Sequence, residues 1–135
     1  MLNNHTKKVK IQSLERLSLR IAGMRLTCEY EAISEGEQTA LALYFIRYID
    51  GKDEYEKVKQ GVCPTAEVVQ ALRKIGVGDW NGFVGEHPRY VLDGDMFQLK
   101  AAVNGGEEIR ASGSANFPKG YYDLLHWLDE RLVEV

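Results

Sequence analysis

The chain has 135 residues, 44% of them hydrophobic and 27% charged, with 13 Gly, 3 Pro and a formal net charge of -3. Those proportions fit one globular domain with a single core and exclude collagenous, largely disordered and solenoid architectures; no run approaches the ~18 apolar residues of a membrane-spanning helix. Residues 1–26 carry Lys7, Lys8, Lys10, Arg16, Arg20 and Arg25 against Glu15 alone, yet the negative total argues against a dedicated nucleic-acid binder.

Residues 1–13 read as a basic leader outside the fold, and residues 14–135 as a single domain. In residues 14–33, Leu17, Leu19 and Ile21 alternate with Ser18 and Arg20, and Leu26, Cys28 and Tyr30 alternate with Thr27 and Glu29. A two-residue turn at Gly23-Met24 would pair Ile21 with Leu26, Leu19 with Cys28, Leu17 with Tyr30 and Arg16 with Glu31. Residues 39–50 are apolar on both sides and read as a buried strand; residues 54–62 read as a more exposed one. Thr65 is placed to cap a helix over residues 66–75, with Val68, Leu72 and Ile75 inward and Gly76 ending it in the left-handed conformation.

Residues 76–89 form a Gly-rich loop holding Trp80 and Phe83. Residues 90–114 read as a second hairpin around Asn104-Gly105-Gly106. A three-residue loop with Gly106 left-handed pairs Ala101 with Ile109, Leu99 with Ala111 and Phe97 with Gly113, and sends Gln98, Lys100, Glu108 and Arg110 outward. Pro118 opens a last helix reaching to about residue 133, with Tyr121, Leu124, Leu125, Leu128 and Leu132 on one stripe. The expected fold is α+β, a mostly antiparallel sheet of about six strands in the order ββββ-α-ββ-α with two helices packed on it.

Catalytic and metal chemistry find little support. Cys63 before a helix could have a lowered pKa, but no motif brings a histidine to it, and Cys28 falls on an inward face. Two cysteines make neither a disulfide framework nor a metal knuckle. His5, His87 and His126 match no metal spacing, and Gly76, Gly78 and Gly82 have the wrong spacing for a dinucleotide loop, so no cofactor is expected. The polar start lacks the apolar stretch of a secretory signal, which makes cytoplasm the expected compartment.

Trp80-Asn81-Gly82-Phe83, Val91-Leu92-Asp93-Gly94 before a strand, Asn104-Gly105, and Gly113-Ser114-Ala115-Asn116-Phe117-Pro118 before a Leu-rich helix are the most motif-like runs. In these the chain resembles a group of small bacterial proteins of unknown function that share W-x-G-F, D-G-strand and G-S-N-x-x-P patterns. The chain departs from them in having Phe97 near the place of a Trp and one more residue in Ser114-Ala115-Asn116. The resemblance implies an α+β domain and no particular activity.

The residues support a non-catalytic binding or protein-interaction module contacting another protein or peptide, with Trp80, Phe83, His87 and Tyr90 as the candidate binding residues. The first alternative is a small hydrolase using His87 with Asp79 or Asp93. The second is weak nucleic-acid binding through Lys7, Lys8 and Lys10.

Overall fold

The computed structural model describes residues 7–135; residues 1–6, His5 among them, lie outside the described residues. Two long hairpins come first: β1 (Leu14–Ala22) with β2 (Thr27–Glu35), and β3 (Gln38–Ile49) with β4 (Lys52–Pro64). Helix α1 (Thr65–Ile75), a 3-10 turn at Val77–Trp80 and the short β5 (Val84–Gly85) lead to the hairpin of β6 (Met96–Val103) and β7 (Glu107–Ser114). Helix α2 (Tyr121–Arg131) and β8 (Val133–Glu134) close the chain. All eight strands form one sheet in the order β5-β7-β6-β1-β2-β3-β4-β8, antiparallel except for the β5–β7 pair. The α+β class and the mostly antiparallel sheet match the expectation, but there are eight strands rather than about six, and the order is ββββ-α-βββ-α-β rather than ββββ-α-ββ-α. The two extra strands are two-residue pieces at the sheet edges, too short to show a hydrophobic period.

The second hairpin has the expected register, Ala101 opposite Ile109, Leu99 opposite Ala111 and Phe97 opposite Gly113. Its strand begins at Met96, so Tyr90 to Asp95 are loop. The left-handed residues of its turn are Asn104 (φ 55) and Gly105 (φ 72), not Gly106. In the first hairpin Ile21 faces Cys28, Leu19 faces Tyr30 and Leu17 faces Ala32, a shift of two residues from the expected register. The turn spans Gly23 to Leu26 and is closed by the Gly23 N–H donating to the Leu26 carbonyl at 2.9 Å. A slip of two keeps every side chain on its face, so burial agrees with both registers.

Both helices cover one face of the sheet, where Leu17, Leu19, Leu41, Leu99 and Ile109 meet Val68, Leu72, Leu124 and Leu128 in one core. Pro64, not Thr65, holds the cap position of α1. The Thr65 hydroxyl instead donates to the Gly36 carbonyl at 3.1 Å and lies 2.8 Å from the hydroxyl of Thr39. Thr39, fully buried, is also bonded to Ser34, so its burial leaves no polar atom unsatisfied. Gly76 takes the expected left-handed position (φ 92) at the end of α1. Helix α2 starts three residues after Pro118, behind Gly120 at φ 92. A Cβ at Gly120 would also stand 2.7 Å from the Ile75 carbonyl, so the glycine lets the end of α1 approach the start of α2.

The folded unit begins before residue 14. Val9 and Ile11 are buried, the Val9 N–H donates to the Gly78 carbonyl at 3.0 Å, and the Asn104 side chain binds backbone atoms of Lys10, Gln12 and Ser13. Val9 and Ile11 of the basic leader are thus buried in the core, while Lys10, Gln12 and Ser13 beside them are exposed. Among the described residues no helix is long and apolar enough to cross a membrane.

Candidate functional site

The four residues singled out by sequence do not share a surface. Trp80 ends the 3-10 turn and is 2% exposed; its indole N–H donates to the Lys119 carbonyl at 2.9 Å and its ring lies 6.4 Å from that of Tyr121. It closes one end of the core. Phe83 is half-buried against Phe97, with ring centroids 6.2 Å apart. Tyr90 is 90% exposed, in a loop where Leu92 is 96% exposed. A common aromatic face of Trp80, Phe83 and Tyr90 is therefore not formed, because the indole is consumed by packing.

His87 is exposed and held at both ring nitrogens. Its Nε2 contacts the Val91 carbonyl and must donate there; in the neutral ring Nδ1 then accepts from the Ser114 hydroxyl at 2.8 Å. Among the described residues no carboxylate lies within 4.0 Å of the ring, and Asp79 instead faces Lys8 at 4.0 Å. The backbone N–H of Ala115, next to Ser114, already donates to the Asp95 carbonyl, and that of Ser112 donates to the Phe83 carbonyl, so neither is free to receive an oxyanion. Burial pushes the thiols of Cys28 and Cys63 up, opposite to what a nucleophile before a helix needs. No described group of three or more His, Cys, Asp or Glu side chains is placed to hold a metal.

The helix-free face of the sheet is a different matter. Pairing places its side chains in transverse rows two residues apart. One row is Thr27, Ala22, Met96, Ser114; the next is Glu29, Arg20, Gln98, Ser112; the third is Glu31, Ser18, Lys100, Arg110. This face is concave. The Arg20 guanidinium bonds the Asp53 carboxylate at 3.0 Å, although β2 and β3 lie between their strands and Arg20 is level with Lys57, four residues further along β4. On a flat sheet the two backbones would stand about 20 Å apart, so the sheet must coil toward this side to let the side chains meet. The unpaired Val58 of β4, between partners of Leu43 and Tyr44, is a bulge that adds to the bend. Ala42 and Ile46 point away from the helices and are still only 7% and 5% exposed, which the coil explains.

Against the wall formed by Gly82, Phe83 and Val84, the coil leaves a groove. A cavity of about 540 Å³ is lined by Ser18, Arg20, Glu29, Gln98, Lys100 and Arg110. It continues, through the shared Arg20, Gln98, Val84 and Ser112, into one of about 430 Å³ bordered by Ala22, Met96 and Ser114. Two features of its charges stand out. Lys100 lies directly opposite Arg110, a like-charge cross-strand pair that costs stability. Arg110 is bonded by Glu108 at 2.9 Å, which holds that carboxyl below its usual range, whereas Lys100 has no carboxylate within 4.0 Å among the described residues. Glu29 is half-buried and has no hydrogen-bond or ion-pair partner among them, since Arg20 opposite has turned to Asp53. Burial pushes the Glu29 carboxyl up, against the pull of Arg20.

These groove residues lay outside the functional candidates, although the signal was in the sequence: the register pairing Ala101 with Ile109 also pairs Lys100 with Arg110. Arg20 and Glu29 gave no such signal, because their state depends on the coil. No protein-family model matches the chain, and the comparisons with curated proteins and with solved structures found no match.

Proposed function

We propose that the chain is a non-catalytic binding module whose ligand lies in the concave groove of the helix-free face. The observation that carries this is the opposed Lys100–Arg110 pair facing a half-buried, unpartnered Glu29 along one groove. Like charges across a ladder cost stability, and a half-buried carboxylate with no hydrogen-bond or ion-pair partner costs more, a combination that points to a site rather than to a solvated surface. The reading is tested by a nuclear magnetic resonance titration against a mixed set of short peptides and small polar molecules. Shifts should concentrate on Ser18, Arg20, Glu29, Gln98, Lys100 and Arg110. Shifts confined to the Tyr90–Met96 loop or to the helices, or none at all, would overturn it.

The 2.8 Å bond between Ser114 and His87 favours a second reading, a small hydrolase with Ser114 rather than a carboxylate beside the histidine. Reaction with a fluorophosphonate probe at Ser114, lost on His87→Ala, would support it; a chain inert to the probe would remove it.

A further inference from the structure

We infer that the groove takes an extended peptide that carries an apolar side chain at one end and an acidic one four residues away. The inference rests on the binding role proposed above and adds the class of ligand. Its ground is the match between two spacings. The rows on the sheet face are two residues apart, which is the interval at which an extended peptide repeats its side chains on one face. A peptide lying along β6 would present one side chain to each row.

The rows differ in chemistry. Ala22 and Met96 line the apolar end, flanked by Val84, which stands opposite Ser112 at the edge of the middle row; Met96 and Val84 are 57% and 72% exposed, so an aliphatic side chain would cover surface that is now wet. In the middle row Glu29 lacks a donor, and a peptide N–H or hydroxyl would supply one. At the far end Lys100 stands opposite Arg110, whose charge Glu108 already pairs, and a peptide carboxylate there would give Lys100 the counter-ion it lacks beside a second cation. A nucleic acid fits less well, because Glu29 and Glu108 would repel a backbone charged along its length and the apolar row would meet phosphate.

The test is fluorescence anisotropy with labelled, end-capped peptides of nine residues in which a leucine and a glutamate stand four apart. Replacing the glutamate by glutamine should weaken binding about tenfold, the scale of one charge-assisted contact. Moving it to three residues from the leucine, which puts the two on opposite faces, should weaken binding equally. The double variant Lys100→Glu with Arg110→Glu should lose the acidic peptide and gain one bearing lysine in place of glutamate. Lys100→Gln alone, a milder change whose fold is checked by circular dichroism, should weaken binding without the gain. Equal binding of the lysine and glutamate peptides, or indifference to spacing, overturns the inference. So does displacement of the peptide by a short single-stranded oligonucleotide at matched concentration, which would assign the cations to nucleic acid. If acidic peptides fail while other molecules still shift the groove residues, only the ligand class falls; if nothing shifts them, the binding role falls too.

Discussion

Asn104 does at one position what several residues do elsewhere. Its backbone sits at φ 55, a conformation asparagine tolerates better than other side chains. Its Oδ1 accepts from the N–H groups of Gln12 at 2.7 Å and Ser13 at 3.1 Å, while Nδ2 donates to the Lys10 carbonyl at 2.8 Å and to Glu107 at 2.7 Å. The turn therefore doubles as a clamp on the N-terminal segment. Asn104→Ala loses the clamp and adds left-handed strain, an expected cost of about 3–4 kcal/mol. Asn104→Gly loses the clamp but keeps the conformation, so its cost should be about 1 kcal/mol smaller. Urea unfolding of the two variants side by side measures the difference, and equal losses would mean that strain is absent. The Asn-Gly pair made the turn readable from sequence, but the clamp was not, because its partners come from a segment more than ninety residues away.

Among the elements, what could be read depended on whether an error would move side chains between faces. In the second hairpin the competing two-residue loop would have put Ile109 opposite Lys100, so the pattern chose correctly. In the first the competitor differed by two, and the pattern was blind to it. Arg16 shows how little was lost: it faces Ile33 yet still reaches Glu31 at 2.8 Å on the diagonal. The N-terminal segment is the clearer miss, since Val9 and Ile11 alternating with Lys8, Lys10 and Gln12 is itself a strand-like pattern within a charged stretch. Gly78 is what lets that segment lie down. A Cβ there would stand 1.9 Å from the Val9 carbonyl, so Gly78→Ala should push the segment off the core. Exposing Val9 and Ile11 costs about 1.5–3 kcal/mol each. The variant should lose at least about 2 kcal/mol in urea and be cut faster by trypsin after Lys8 and Lys10. Unchanged cleavage would show that the core absorbs the methyl group.

At the scale of the whole molecule, the groove exists because the sheet coils, and coiling is a sum over strands that no single periodicity reports. Sequence could place Arg20 and Glu29 on the wet face; it could not show that Arg20 would abandon its neighbour for Asp53 and leave Glu29 half-buried. That difference is measurable through pH. Burial raises the folded-state pKa of Glu29 above 4.5, so between 4.5 and the raised value the folded chain holds a proton that the unfolded chain has released. Stability at this site is then full below pH 4.5 and falls as pH rises through that window, leaving a penalty in place at neutral pH. Glu29→Gln removes the penalty along with the charge. The variant should melt above the parent chain at pH 7, and the gap should close as pH is lowered below 4.5, where both states of the parent are protonated. Differential scanning calorimetry of the pair across pH 3.5 to 7 reads this directly, since every other titrating group cancels in the comparison. A variant that melts below the parent at pH 7 would mean that attraction to Arg20 outweighs desolvation at Glu29.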